Sequence, residues 1–320
     1  ILADFTTVTA AISSASVVDG DTLHIESSTA SYPVSGNVIP KSLVYIGVGY
    51  FLDPADAGAP ANTGLQVATG LSNLQFLRLG AAASGSKFIG ITFSGSLYMN
   101  GASNVTLDRC FVVSGIYFEN GTNDNFQFRK SFIANSNQIS MSGTATVTNF
   151  ICENNIFFNH AFINMPNLSG SGNIFRNNSM SGGNGMTLVN TYVANNIFSV
   201  NPQCSFTNCT IKNNLFQANQ TLPGSATNNQ VSVNMANVFV GGSTGSLDSR
   251  YQLKAGSPAI GAGLTIGSVV TPDCGAFGAT DPYKLSGIPN IPTIYTLNVP
   301  ISIPSGSPTM NVSFSTRNNN

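Results

Sequence analysis

Along the middle of the chain, large apolar residues return in a fixed company. The strings Asn154-Asn155-Ile156-Phe157, Asn177-Asn178-Ser179-Met180, Asn195-Asn196-Ile197-Phe198 and Asn213-Asn214-Leu215-Phe216 each place two asparagines and a spacer before an apolar anchor. Ala236-Asn237-Val238-Phe239 keeps the second asparagine, and Asp108-Arg109-Cys110-Phe111 and Arg129-Lys130-Ser131-Phe132 keep the anchor with charged residues in the asparagine slots. The anchors Phe111, Phe132, Phe157, Met180, Phe198, Phe216 and Phe239 are separated by 21, 25, 23, 18, 18 and 23 residues. A period in the low twenties is that of a solenoid. Each repeat is rich in Val, Ile, Phe and Thr and is broken by Asn, Gly and Ser, which predicts three short strands joined by turns rather than a leucine-rich repeat.

The asparagine two places before the anchor is read as a corner residue, because Asn tolerates the left-handed backbone region better than most residues. Stacked coils repeat every ~4.8 Å, so the amides of Asn155, Asn178, Asn196, Asn214 and Asn237 are expected to bond to one another in a column. Strand alternation then sends the anchors into the core, where they stack on their copies. Both columns are structural readings. They predict an all-β chain, a right-handed parallel β-helix of about ten coils and roughly 50 Å.

The two ends differ from this middle. Phe5, Val8 and Ile12 within Ala3 to Ser16, with Val17 beyond, predict an amphipathic helix able to cover an open solenoid end. From Asp281 the chain turns Pro-rich, and Thr293 to Val299 and Ile301 to Ile303 read as extended strands. The division is therefore a cap helix over 1–18, a parallel β-helix over 19–280 and a strand tail over 281–320. A tail of that kind can add a strand to a neighbour, and such a head-to-tail contact generates open filaments.

Val8 to Ile12, then Asp19-Gly20-Asp21-Thr22-Leu23-His24-Ile25, Tyr32, Ser42 to Gly47 and Phe88 to Phe93 are similar to the opening of pectate-lyase-like β-helix proteins. Tyr251 to Gly263 with Asp273-Cys274-Gly275-Ala276-Phe277-Gly278 resembles the closing motif of secreted bacterial surface proteins of the choice-of-anchor Q type. The resemblance spans residues 1 to about 280. It implies a β-helix placed outside the cell, and it leaves activity open, since this superfamily hosts lyases, hydrolases, adhesins and structural proteins.

Composition sharpens the picture. Charged residues are 8% of the chain, hydrophobic residues 42%, and the net charge is −1. A quarter of a soluble domain is usually charged, so Asn, Ser, Thr and Gly carry the surface here. Twelve scattered Lys and Arg supply no basic footprint for nucleic acid. Apolar runs such as Leu43 to Ile46 are far too short to span a bilayer. The chain opens in patterned sequence without a basic and apolar leader, as a chain does whose signal peptide was already removed or never existed, and removal is the expectation for an extracellular protein. Cys110, Cys152, Cys204, Cys209 and Cys274 match no zinc spacing; Cys204 and Cys209 could bridge a short loop, but small buried thiols are the simpler reading.

Catalysis on acidic polysaccharides would need converging carboxylates for calcium or acid–base work, with Arg or Lys beside the bond that breaks. Between Ser131 and Ser249 only Glu153, Arg176, Lys212 and Asp248 are charged, with His160 the one histidine. The candidate cluster is Asp108, Glu119, Asp124, Arg129 and Lys130, with Arg109 beside it and Asp108 stacked over Arg129 if Phe111 and Phe132 are in register. It would be a small catalytic or calcium site, or a surface ion-pair patch of little energetic weight, and the second reading is preferred. No cofactor is called for beyond that calcium. Asp19 with Asp21 reads as a turn, Asp53 with Asp56 as a loop, and Gly241-Gly242-Ser243-Thr244-Gly245 opens no helix as a serine-hydrolase elbow must. The expectation is a noncatalytic extracellular scaffold that self-associates through its tail. The alternatives are a polysaccharide lyase or hydrolase at the Asp108 cluster, or a module that binds extracellular polysaccharide without turnover.

Overall fold

The computed structural model describes residues 3–34, 38–56, 60–134, 138–159, 162–182, 186–200, 204–265 and 267–319. The chain winds as a parallel β-helix. Lys87–Ile89 leads into Thr92–Phe93, then Leu97–Asn100, and Thr106–Asp108 lies back beside Lys87–Ile89 one coil further on. Repetition builds three parallel sheets of nine, eight and nine strands, about eight turns in all. This is fewer than the ten coils expected. The sheets end at Thr210–Lys212 and Leu215–Phe216, and much of the chain beyond them runs along the outside of the rod.

Each short strand buries alternate side chains. In the first sheet Tyr45, Phe88, Leu107, Phe128, Cys152, Phe175, Val193 and Ile211 form one inward column with no solvent exposure. In the second sheet Val112, Ile133, Phe157, Met180, Phe198 and Phe216 are in register and point into the same core. The rings of Phe198 and Phe216 lie stacked with centroids 4.7 Å apart.

Three expected anchors are elsewhere. Phe111 and Phe132 pair with each other, but their next partner is Ile156 and not Phe157, so both point outward. They pack with Tyr50, Phe51, Tyr251 and Tyr283 in a second apolar cluster outside the helix. The reason is that the second sheet is covered on both faces: Phe132, Ile133 and Ala134 are all buried, and alternation no longer identifies the core side. Phe239 lies past the last coil and joins Leu253 in an isolated bridge.

The outer cover is a strap formed by residues 246–265 and 267–290. Ala276 N–H donates to Ser179 Oγ at 3.0 Å, Gly275 N–H to Asn195 O at 2.8 Å, and Tyr50 N–H to Ser286 O at 2.9 Å. The Arg109 guanidinium reaches Ile288 O at 2.6 Å. A fully buried carboxylate, Asp248, is held by Ser286 N–H at 2.7 Å, Tyr283 Oη at 3.1 Å and Asn62 Nδ2 at 3.1 Å. Buried charge is tolerated only when its lone pairs are occupied.

At the N-terminal end the helix spans Val8–Ser13, shorter than Ala3 to Ser16. Thr7 caps it by accepting from Ala10 N–H at 3.0 Å, and Val8, Ala11 and Ile12 face the core. The run Ser13-Ser14-Ala15-Ser16 supplies neither the propensity nor the apolar face to continue it. The tail forms an antiparallel hairpin of Thr293–Asn298 with Ser313–Arg317. Ile301 to Ile303 is not a strand, since Pro300 and Pro304 remove ladder donors on either side. The hairpin base is tied to the chain's own body through Val67 N–H to Ile294 O at 2.9 Å and Arg317 Nη2 to Leu65 O at 2.6 Å. Among the described residues no helix is long and apolar enough to cross a membrane.

Truncating Phe198 to alanine removes a ring stacked on both sides and is expected to cost about 3–5 kcal/mol in urea unfolding. A loss below about 1 kcal/mol would contradict the packing described.

Candidate functional site

The sharp corner between the first and second sheets is made by two residues with separate tasks. The first of each pair takes the left-handed backbone: Arg109, Lys130, Asn154, Asn177, Asn195, Asn213 and Asn228 all have φ between 45° and 57°. The second builds the amide column. Asn178 Oδ1 accepts from the main-chain and side-chain N–H of Asn155, at 3.0 and 3.1 Å. Asn196 does the same for Asn178, and Asn214 for Asn196, at 2.9 to 3.0 Å. Towards the N-terminus Asn155 accepts from Ser131 N–H, and Ser131 Oγ accepts from Cys110 N–H.

Asn237, expected in this column, is exposed in a short 3-10 turn, Met235–Asn237. Asn229 occupies the last place and accepts both N–H groups of Asn214 at 2.9 Å. It was missed because Asn228-Asn229 carries Gln230 in the spacer slot and only the smaller Val231 where the other repeats place Phe or Met. The left-handed corner also belongs to the residue before the ladder asparagine, not to the ladder asparagine itself.

The charged candidates are spread over three places. Asp108 and Arg129 are in register on the outward face of the first sheet, followed by Glu153 and Arg176. Glu153 is clamped between two cations, with Arg129 Nε at 3.0 Å and Arg176 Nη2 at 2.7 Å. Lys130, at the left-handed corner, turns toward the strap and meets Asp281 at 2.7 Å and Asp108 at 3.3 Å. Burial raises the Asp108 carboxyl above its ordinary range, and Lys130 and Arg109 pull it partly back.

Glu119 sits on the third sheet, paired with Arg78 at 3.0 Å. Asp124 lies at the end of that strand and accepts from Thr148 Oγ1 and Asn149 Nδ2, which lowers its pKa. Asp108, Glu119 and Asp124 thus do not converge. Among the described residues no group of three or more His, Cys, Asp or Glu is placed to hold a metal ion.

The recess beside the ion pairs is lined by Arg129, Lys130, Glu153, Asn154, Arg176 and Asp281 and measures about 60 Å³. At ~10–15 Å³ per molecule it has room for a few waters. Glu153, Arg176 and Asp281 are the residues that sequence reasoning left out of the cluster. The first two could have been found by extending the 21-to-24-residue register from Arg129, whereas Asp281 comes from the strap and carries no such signal.

Of the other candidates, Asp21 and Asp53 accept the main-chain N–H groups of Val18 and Ala55, as turn residues do, and Asp19 accepts that of Ser42 on the next coil. His24 is exposed at the end of its strand, and His160 lies outside the described residues. Ser243 lies in a loop where its carbonyl accepts from Arg250. All five thiols are unpaired. Burial pushes Cys204 and Cys274 up to about 12, which removes thiolate character at neutral pH. The chain matches no protein-family model and no curated protein.

The divided corner generates opposite outcomes for neighbouring asparagines. Asn178→Ala strands the buried Asn155 N–H and is expected to cost about 1–3 kcal/mol in chemical unfolding. The Asn177 side chain is buried without a hydrogen-bond partner at φ 51°, so Asn177→Gly is expected to leave the melting temperature unchanged or higher. Equal losses for the two variants would contradict the separation of tasks.

Asp124 gives a pH signature. Its folded pKa lies below the ordinary 3.8, so its stabilisation is present above that value and is lost as pH falls through the folded pKa. Asp124→Asn should therefore melt below the wild type at neutral pH, and the gap should close under acid. A gap that stays constant from neutral to acid pH would argue against the carboxylate's role.

Proposed function

We propose that this chain is a noncatalytic extracellular structural protein, displayed at a cell surface or in its surroundings, that associates with copies of itself through its C-terminal tail. The observation carrying this reading is that the charged cluster is occupied by its own ion pairs. Asp108 and Glu153 each face cations of the same chain, and the recess beside Glu153 is small, about 60 Å³, and lined by residues already engaged in those pairs.

Two further features support it. The side chains that recur from coil to coil, the amide column and the stacked rings, point inward and serve packing. The opening and closing motifs resemble those of secreted pectate-lyase-like surface proteins of the choice-of-anchor Q type. In such a protein an extracellular polysaccharide is a surface to lie against rather than a substrate.

The test is incubation with polygalacturonate and a neutral β-glucan, with and without calcium, followed by reducing-end and unsaturated-uronide assays. No product above the buffer control is expected. Product formation abolished by Asp108→Ala, with the melting temperature preserved, would replace the scaffold by a polysaccharide-cleaving enzyme. Retention on an immobilised glycan without product would identify a binding module.

A further inference from the structure

We propose that the C-terminal hairpin is a homotypic contact surface: two copies of the chain meet through its apolar face about a twofold axis and close as a pair. The proposal rests on the reading of the tail as self-associating, and it exchanges open filament growth for a closed contact.

The hairpin is amphipathic in the sense of a two-faced sheet. Leu297 and Phe314 are directly opposed across the ladder. Two-residue periodicity puts Val299 and Val312 on their side, while Thr296, Asn298, Ser313 and Ser315 lie on the other; a bulge between Ile294 and Thr296 interrupts the alternation at Tyr295, whose ring lies against Arg317. Nothing covers the apolar side: Phe314 is 62% exposed, and Leu297, Val299 and Val312 are each more than 40% exposed. From Thr293 to Thr316 there is no charged residue. A lone two-stranded hairpin is marginally stable in water, so an uncharged one with a bare apolar face calls for a partner layer.

The rest of the chain identifies that layer. Of sixteen exposed large apolar residues among those described, nine lie between Ile294 and Phe314. The other seven, six valines and one isoleucine, are Val18, Val38, Val67, Val231, Val240, Ile260 and Val270, dispersed along the sequence. The hollow beside the N-terminal helix is apolar at Phe5, Val8 and Leu23, but Asp4, Asp21 and Glu26 also line it, and the hairpin's one charge, Arg317, is already tied to Leu65 O at its base. The surface matching the hairpin is therefore the hairpin of a second copy.

The contact runs through faces rather than strand edges. Pro300, Pro304 and Pro308 cannot donate to an added strand, and prolines of this kind blunt sheet edges. The tip closes in a turn from Pro304 to Ser307 with Gly306 at φ 86°. The arm runs 25 residues from Thr293 to Arg317, and the half of it on the apolar face places the contact at the small end of the range for specific interfaces, about 20–30 residues a side. Because a patch that meets its own copy is satisfied by one partner, growth stops at two.

Light scattering of the full chain across a wide concentration range tests this. The expected mass is twice 33.3 kDa. The double variant Leu297→Ser, Phe314→Ser and the single variant Phe314→Ser should both fall to the mass of one chain, with the melting temperature kept because the hairpin lies outside the core. Val270→Ser on the body should still pair. A single-chain mass for the wild type, a mass rising without limit, or pairing retained in the double variant would overturn the proposal. A mass rising without limit sinks the closed pair and keeps self-association, a chain that stays single and cleaves no glycan sinks self-association and keeps the noncatalytic reading, and one that pairs and cleaves sinks the noncatalytic reading alone.

Discussion

One accepting oxygen per coil fixes the register on which the central and C-terminal coils depend. The amide Oδ1 of Asn178, Asn196, Asn214 or Asn229 receives both the main-chain and the side-chain N–H of the asparagine one coil before it. A coil shifted by one residue would leave both donors buried and empty, which is why the sheets in this region align without slippage. The left-handed residue just before it turns the chain sharply enough for the oxygen to face the next coil. With register set there, aromatic stacking in the core and alternating charge on the outer face follow as consequences.

That constraint was also what made the sequence readable. Asn pairs before apolar residues stand out because both slots impose a chemical requirement, one on backbone conformation and one on hydrogen bonding. The coil spacing and the pairing of Asp108 with Arg129 follow from them. What alternation did not separate was Phe111 and Phe132 from Phe157. Both faces of the second sheet are apolar, one toward the core and one beneath the strap, so a shift of one residue leaves the hydrophobic pattern unchanged. Asn237 imitates the motif beyond the last coil, where no neighbouring strand remains to receive it.

The candidate site was legible only in part for a similar reason. Residues joined by register, such as Arg129, Glu153 and Arg176, can be aligned by counting. Asp281 reaches Lys130 across 151 residues of sequence, and no periodicity announces a strap. The strap also changes the chemistry at that place, because it supplies the second carboxylate that occupies Lys130 and narrows the space above the row. Glu119 and Asp124 lie close to this row in sequence but belong to the third sheet, where Arg78 and a pair of hydrogen-bond donors engage them.

The same strap alters how the rod responds to tension. In a bare solenoid each coil touches only its two neighbours, and the molecule can peel from an end one coil at a time. Here one continuous stretch of chain grips Arg109, Asn154, Ser179 and Asn195, so it spans coils that do not touch one another. A pull that would unzip the last coil must first tear this longitudinal splint from its neighbours. The rod therefore yields as a block rather than unravelling like thread from a spool.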